Sequence, residues 1–260
     1  MNKSMYRAVV FFDLDGTLLD SYKRVQRSSL KALQELRANH ILPVISTGRS
    51  LLMIRSIMTK TQIHTAICAN GSYIQYKNEP LNIIPIPTDI IERLIKLSGQ
   101  NGKALAFQTR DHIVLNRANP LTHAAYLHHS VNPTVRPDFY RTHPINFINL
   151  FTTNHGYYYV NQFKNQLTIV CNSTKCLDVT KAGVSKQLGI KILLKKLHIA
   201  GIPTYAFGDG LNDVQMFDQV DHPIAMGEGL KPCKERSEFV TDTNDRGGIF
   251  KGLAHFGLVK

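Results

Sequence analysis

Phe11-Phe12-Asp13-Leu14-Asp15-Gly16-Thr17-Leu18-Leu19-Asp20 is the stretch whose reading decides how this chain folds. The apolar run Ala8–Phe12 delivers two carboxylates to its end with one residue between them. On a strand, side chains alternate faces, so Asp13 and Asp15 are expected to leave on the same side. Gly16 permits the sharp turn that a strand end needs to open a ligand site. Two carboxylates held this close repel unless one keeps its proton or a cation sits nearby. Such a pair is poor for stability and useful for chemistry. One can be a nucleophile and the other an acid and base, with a divalent metal between them and a phosphate. A bare Asp-x-Asp is most often an Asx-capped turn. The full string is far more specific than that.

Outward from this strand, residues 25–38 read as a helix whose Leu30, Leu33 and Leu36 form one buried stripe. Asn39 is expected to take the left-handed cap. Ile41–Ser46 is the next strand, Ser50–Met58 a helix and Thr65–Ala69 a third strand. Short strands alternating with helices predict a parallel sheet with right-handed crossovers, and ligands bind beyond the carboxyl ends of such strands. From about residue 81 the pattern changes. A helix over 88–100, a hairpin around Arg110-Asp111, a helix over 121–129, strand Ile145–Thr152, helix 154–163 and strands 167–172 and 176–180 follow. That order predicts an open sheet with helices on one face. Alternation resumes with helix 185–198, strand Ile202–Phe207, helix 211–218 and a strand at Pro223–Met226. One domain is therefore expected to be inserted into another.

Three further segments carry chemistry, all at strand ends or helix starts. Ser46-Thr47-Gly48-Arg49 offers hydroxyls and main-chain N–H groups at a helix N-terminus, a ready anion site. Its bland reading is a cap by Ser46, Thr47 or Ser50. Lys186 opens a helix, where a cation is unfavourable to the macrodipole unless an anion is near. In Gly208-Asp209-Gly210-Leu211-Asn212-Asp213, the two aspartates are four apart, so one helical turn can bring both to one face. Beside Asp13 and Asp15 they make four carboxylates, which a site cannot hold without a cation. Hard oxygen ligands without His or Cys select Mg²⁺.

In this order the four segments resemble motifs I to IV of the haloacid dehalogenase (HAD) superfamily, in its Cof-like branch. Asp178-Val179 ahead of Gly183-Val184-Ser185-Lys186, Asn70-Gly71 and Ala225-Met226-Gly227 match that branch as well, while Glu228 stands where it usually has Asn. The resemblance covers essentially the full chain. It implies an α/β fold: a Rossmann-like core with a parallel sheet, residues 1–80 and 184–260, plus an inserted α+β cap of type C2B, residues 81–183. It implies a Mg²⁺-dependent phosphatase acting through an aspartyl-phosphate, with Asp13 as nucleophile and Asp15 as acid and base. Asp13, Asp15 (by its carbonyl), Asp209 and Asp213 would serve the metal. Leu14, Thr47, Gly48, Arg49, Lys186 and Asn212 would bind the phosphoryl group or substrate. Expected substrates are small phosphorylated metabolites: sugar phosphates, pyridoxal phosphate or flavin-type phosphates. A phosphomutase on the same core is the nearest alternative.

Composition narrows the rest. No run of about 18 apolar residues appears, so no transmembrane helix is expected. The polar start Met1–Arg7 leaves no room for a signal peptide. Four cysteines without CxxC or zinc spacing fit a reduced, cytoplasmic monomer or homodimer. The net charge of +12 suggests a nucleic-acid binder or regulatory protein, but Lys and Arg are scattered, with no run of five. Lys23-Arg24-Val25-Gln26-Arg27 reads as solvated loop. His112, His123, His128, His129, His143 and His155 lack metal-ligand spacing, and Tyr157-Tyr158-Tyr159 reads as packing.

Overall fold

The computed structural model describes residues 5–126, 131–153 and 156–260, with Asn172 described by its main chain alone. His128, His129 and His155 lie outside the described residues. In chain order the first strands and helices are β1 (Ala8–Phe12), α1 (Arg27–Ala38), β2 (Ile41–Ser46), α2 (Leu51–Thr61) and β3 (Ala66–Cys68). A hairpin, β4 (Tyr73–Tyr76) and β5 (Glu79–Ile83), follows. Next come α3 (Thr88–Gln100), β6 (Ala104–Gln108), β7 (Ile113–Leu115), α4 (Pro120–Tyr126), β8 (Thr134–Val135) and β9 (Phe147–Phe151). They lead into α5 (Tyr157–Gln162), β10 (Leu167–Ser173) and β11 (Cys176–Lys181). The chain then runs through α6 (Lys186–Lys196), β12 (Thr204–Gly208), α7 (Leu211–Phe217) and β13 (His222–Ala225). It closes with α8 (Lys231–Arg236), β14 (Phe239–Val240) and α9 (Gly248–His255).

By contacts the chain divides into two compact units. The first comprises Met1–Thr47, Ser56–Leu81 and Ser185–Lys260; the second comprises Asn82–Val184 together with Gly48–Arg55.

The first unit carries an eight-stranded sheet in the order β14-β13-β12-β1-β2-β3-β4-β5. From β14 to β3 neighbours run parallel, and β4 turns back antiparallel on β3. Strand β1 lies at its centre and every one of its residues is buried, as a strand covered on both faces requires. Phe12 stacks on Phe207 of β12 with ring centroids 5.4 Å apart. Each such fully buried aromatic contributes about 1.5–3 kcal/mol. The chain leaves β1 toward β2 on one side and reaches β12 on the other, so strand order reverses beside β1. That reversal opens a crevice at the carboxyl ends of the strands.

Two local expectations are corrected. Asn39 is not left-handed (φ −85°); His40, one residue on, is (φ 58°). The Asn39 amide donates to Leu258 O at 3.0 Å, which holds it in the last turn and passes the reversal to the next residue. The β4–β5 hairpin, absent from the sequence reading, turns on Lys77 and Asn78, both left-handed (φ 51° and 69°). This is the two-residue turn that suits strand twist, here written without the usual glycine.

The second unit holds a six-stranded sheet, β10-β11-β9-β6-β7-β8, antiparallel except between β7 and β8. Alternation along the strands separates two apolar clusters. Leu105, Phe107, Ile148, Leu150, Leu177 and Val179 pack with α3 and α5. Ala104, Ala106, Ile113, Leu115 and Phe151 face the other way and take Tyr126 of α4 with Leu52 and Met53 of α2. Helices therefore cover both faces, not one. The small Ala104 and Ala106 leave room for the second layer, and Leu52 and Met53 draw residues 48–55 into this unit.

Candidate active site

The first motif reaches its place because β1 ends at Phe12 and the chain then coils tightly. Asp13 N donates to Phe207 O (3.0 Å), and Asp13 O and Leu14 O accept from Leu18 N (3.2 Å) and Leu19 N (2.8 Å). The Leu14 side chain is fully buried, so only its main chain can meet a ligand. Gly16 is left-handed (φ 79°), and a Cβ there would collide with the Asp209 carboxylate. This position requires glycine twice over.

Lys186 is brought in by α6. Ser185 caps that helix, its hydroxyl accepting from Leu188 N at 3.1 Å. The helix start lies against Asn70-Gly71: a Cβ on Gly71 would meet Ser185 O, and one on Gly189 would meet Ile67. Two glycines thus let the backbones approach, and the Lys186 side chain enters the interior with 1% of its surface exposed. Its ammonium lies 2.5 Å from Asp13 Oδ1 and 2.6 Å from Asp213 Oδ1. A cation at a helix start thus finds the anions it needs.

Asp209 and Asp213 follow β12. Asp213 is fully buried at the third position of α7, and its Oδ2 accepts from Asp209 N (3.0 Å) and Gly210 N (2.9 Å). Oδ2 therefore has both lone pairs in use, leaving Oδ1 to be shared between Lys186 and a cation. Asp209 Oδ1 accepts the Thr17 hydroxyl at 2.8 Å. The loop is clamped from behind, with Leu230 N donating to Asp209 O (2.9 Å) and Cys233 Sγ to Gly210 O (2.9 Å).

Carboxylate oxygens of Asp13, Asp209 and Asp213 all lie within 4.8 Å of one another. One buried ammonium cannot neutralise three carboxylates. Burial, opposed by Lys186 and reinforced by the neighbouring carboxylates, pushes Asp13 up to about 7. Burial does the same to Asp209, up to about 6, with Asp213 and Glu228 adding to the rise against the Thr17 hydrogen bond. For Lys186 burial alone would pull the ammonium down; Asp13 and Asp213 overcome it and hold the group above its ordinary range. All three acids offer hard oxygen donors and carry surplus negative charge, so the set fits Mg²⁺.

Thr47 is buried at the end of β2, its N–H donating to Ile67 O at 2.9 Å. The capping role open to Ser46 and Ser50 is not realised: both hydroxyls are buried without a hydrogen-bond partner. Gly48 and Arg49 group with the second unit. Asn212 is exposed and donates to Asn70 Oδ1 at 3.4 Å. Asp15 is half-buried and pairs with Lys23 at 2.7 Å. Glu228 accepts from Asn244 N at 2.8 Å.

Sequence reasoning missed Thr17 and Lys23 as neighbours of the site. Thr17 and Asp209 are 192 residues apart, and no spacing rule links them. Lys23 was expected in solvated loop; it is in a loop, but its ammonium is on Asp15. His112 and His143 pack with Phe139, at 5.4 Å and 3.9 Å. Of the three tyrosines only Tyr159 is core; Tyr157 and Tyr158 are 76% and 51% exposed.

A family model for haloacid dehalogenase-like hydrolases matches residues 10–253. The chain belongs to that family. It is 30% identical over 257 residues to YkrA of Bacillus subtilis (strain 168), provisionally named a phosphatase, covering 97% of this chain and 98% of that one. It is 25% identical over 255 residues to the 5-amino-6-(5-phospho-D-ribitylamino)uracil phosphatase YcsE of the same organism, covering 96% of each. Among solved structures, a HAD subclass IIB sugar phosphatase superposes with a TM-score of 0.85 at 27% identity, covering 96% of this chain and 99% of that one. The α/β fold expected from the motifs is the fold of these structures. Membership, relatives and site make this protein a hydrolase of phosphate esters. Among the described residues no helix is long and apolar enough to cross a membrane.

Proposed function

We propose that this HAD-family protein is a Mg²⁺-dependent phosphatase of small phosphorylated metabolites that works through an aspartyl-phosphate on Asp13. The observation that carries the reading is the convergence of the Asp13, Asp209 and Asp213 carboxylates, two of them paired with the buried Lys186. Asp13 and Asp209, with the carbonyl of Asp15 and Asp213 beside them, would hold the cation. When bound it supplies charge neutralisation for the phosphoryl oxygens. An Asp13 oxygen attacks phosphorus in line, the ester P–O bond breaks, and Asp15 gives its proton to the departing alkoxide. Asp15 then takes a proton from the water that cleaves the phosphoaspartate, releasing phosphate and regenerating Asp13. Lys186 favours the Asp13 anion against the burial that opposes it, and Lys186, Thr47, Gly48, Arg49, Asn212 and the Leu14 main chain would hold phosphoryl oxygens. Positioning and fixed charge supply most of the catalysis in such transfers.

Residues 81–183 act in this reading as a C2B-type cap that selects the leaving group. Names of two relatives, a sugar phosphatase and a ribitylaminouracil phosphatase, support sugar phosphates and flavin-type phosphates as substrate classes. Pyridoxal phosphate belongs in the same screen. Metabolites should be tested for phosphate release in ¹⁸O-labelled water, with acid quenching to trap phosphoprotein. The expected result is phosphate carrying one labelled oxygen, trapped phosphate on the wild type and none on Asp13→Asn, whose turnover falls by about 10⁴ or more. Transfer of the phosphoryl group to a second hydroxyl of the substrate without labelled phosphate would make the protein a mutase. Wild-type turnover by Asp13→Asn would refute the nucleophile.

A further inference from the structure

The turn after the first motif places a lysine where glycine would be unstrained. Lys23 has φ 60°, in the left-handed region that L residues with a Cβ avoid. Asp20 builds the turn. Its buried Oδ1 accepts from Tyr22 N (2.9 Å) and Arg24 N (2.8 Å). Its own N–H donates to Arg24 O, and Lys23 N donates to Asp20 O, both at 2.8 Å. Leu19 bridges Asp15 on one side and Val25 on the other, so the turn is laid back along the first motif. Among the contacts it makes, it brings Lys23 Nζ to 2.7 Å from Asp15 Oδ1.

Stability does not explain that contact. The two side chains are 61% and 39% exposed, and an ion pair in water contributes little. Residues held in sparsely populated backbone regions persist where the surrounding structure over-determines them, and they cluster at functional sites. Here the over-determined residue touches the aspartate that the phosphatase reading makes the proton donor. An aspartate side chain has three staggered χ1 wells, and proton transfer needs the carboxyl within hydrogen-bond reach of one oxygen.

We propose that Lys23 is a positioning residue, which bonds one oxygen of the Asp15 carboxyl group and so orients the other, carrying the proton, toward the leaving group. Lys23 itself touches neither phosphorus nor metal. This inference rests on the reading of Asp15 as general acid, and the test separates the two.

Wild type and the variants Lys23→Met, Lys23→Gly and Lys23→Arg are compared by kcat/KM, which reports transfer to Asp13, on two esters with Mg²⁺ present. Glycerol phosphate releases an alkoxide that needs a proton; p-nitrophenyl phosphate releases a phenolate that leaves without one. Lys23→Met and Lys23→Gly are expected to lose about tenfold on glycerol phosphate, the scale of a less well-oriented carboxyl, and under about twofold on p-nitrophenyl phosphate. Lys23→Arg should recover most of the loss. Lys23→Gly should melt no lower than wild type, since glycine relieves the turn. Equal losses on both esters, or none on glycerol phosphate, overturn the positioning role. Asp15→Asn is the control. If it hydrolyses glycerol phosphate like wild type, the reading of Asp15 falls and the inference with it. If Asp15→Asn is crippled and Lys23→Met is not, only the inference falls.

Discussion

Both units of the molecule bury polar side chains at a sheet, but they do so with different chemistry. In the first unit they include a charged cluster, Asp13, Asp213 and Lys186, held at 2.5 and 2.6 Å. In the second, the buried chain is Gln108, Asn149, Asp178 and Tyr126. Asn149 Nδ2 donates to Asp178 Oδ1 at 2.8 Å, and Asn149 Oδ1 accepts from Gln108 and, at 3.4 Å, from the Tyr126 hydroxyl. Gln108 Oε1 is buried without a hydrogen-bond partner. Three carboxylates against one ammonium create a charge surplus that a cation and a phosphoryl group can use. Amides and a hydroxyl arranged around one carboxylate, Asp178, create direction with a single charge in place of three crowded ones.

Breaking the ionic network tests that contrast most sharply. Lys186→Met leaves the Asp13 and Asp213 carboxylates buried without their ammonium. Removing one partner of a buried ion pair costs about 3–5 kcal/mol, and turnover should vanish with it. Urea unfolding measures the first effect. A variant with wild-type stability would show that the cation is not what holds these carboxylates in place.

The charge surplus also predicts an unusual pH response. Asp13 and Asp209 titrate at about 7 and about 6 in the folded protein against an ordinary 3.8. Because folding raises these values, the metal-free native state holds protons that the unfolded chain has released. Their stabilising contribution is complete below about pH 4 and is lost as pH rises through 6 to 7. Melting of the metal-free protein should accordingly fall between pH 5 and 8. Mg²⁺ should restore it most above pH 7, and its affinity should weaken below pH 6 as protons compete. A melting temperature that climbs over this range and ignores Mg²⁺ would remove the surplus from the account.

The smallest effect belongs to the amide network. Asn149→Ala should cost about 1–3 kcal/mol by leaving its partners unsatisfied, with the Mg²⁺ response of melting unchanged. A lost Mg²⁺ response would mean that the two networks act as one and that the contrast is false.

Much of this was legible from residues alone, for physical reasons that can be named. The run Ala8–Phe12 could only be a covered strand, because it has no polar face to turn to water. The string holding Asp209 and Asp213 was legible as a site, although Asp209 lies in the turn before α7 and only Asp213 is in the helix, and Lys186 was legible through the motif it completes. These signals are local: period, spacing and motif. Tertiary structure alone decided which distant groups meet. Asp13 and Lys186 are 173 residues apart, Thr17 and Asp209 are 192 apart, and both meetings depend on strand order, on Gly16 leaving room for the Asp209 carboxylate and on Gly71 and Gly189 letting backbones approach. Even Lys23 and Asp15, eight residues apart, needed the structure, because a left-handed turn leaves no periodic trace. Composition and period describe what a segment must bury; which buried group faces which is set by the packing of whole sheets and helices.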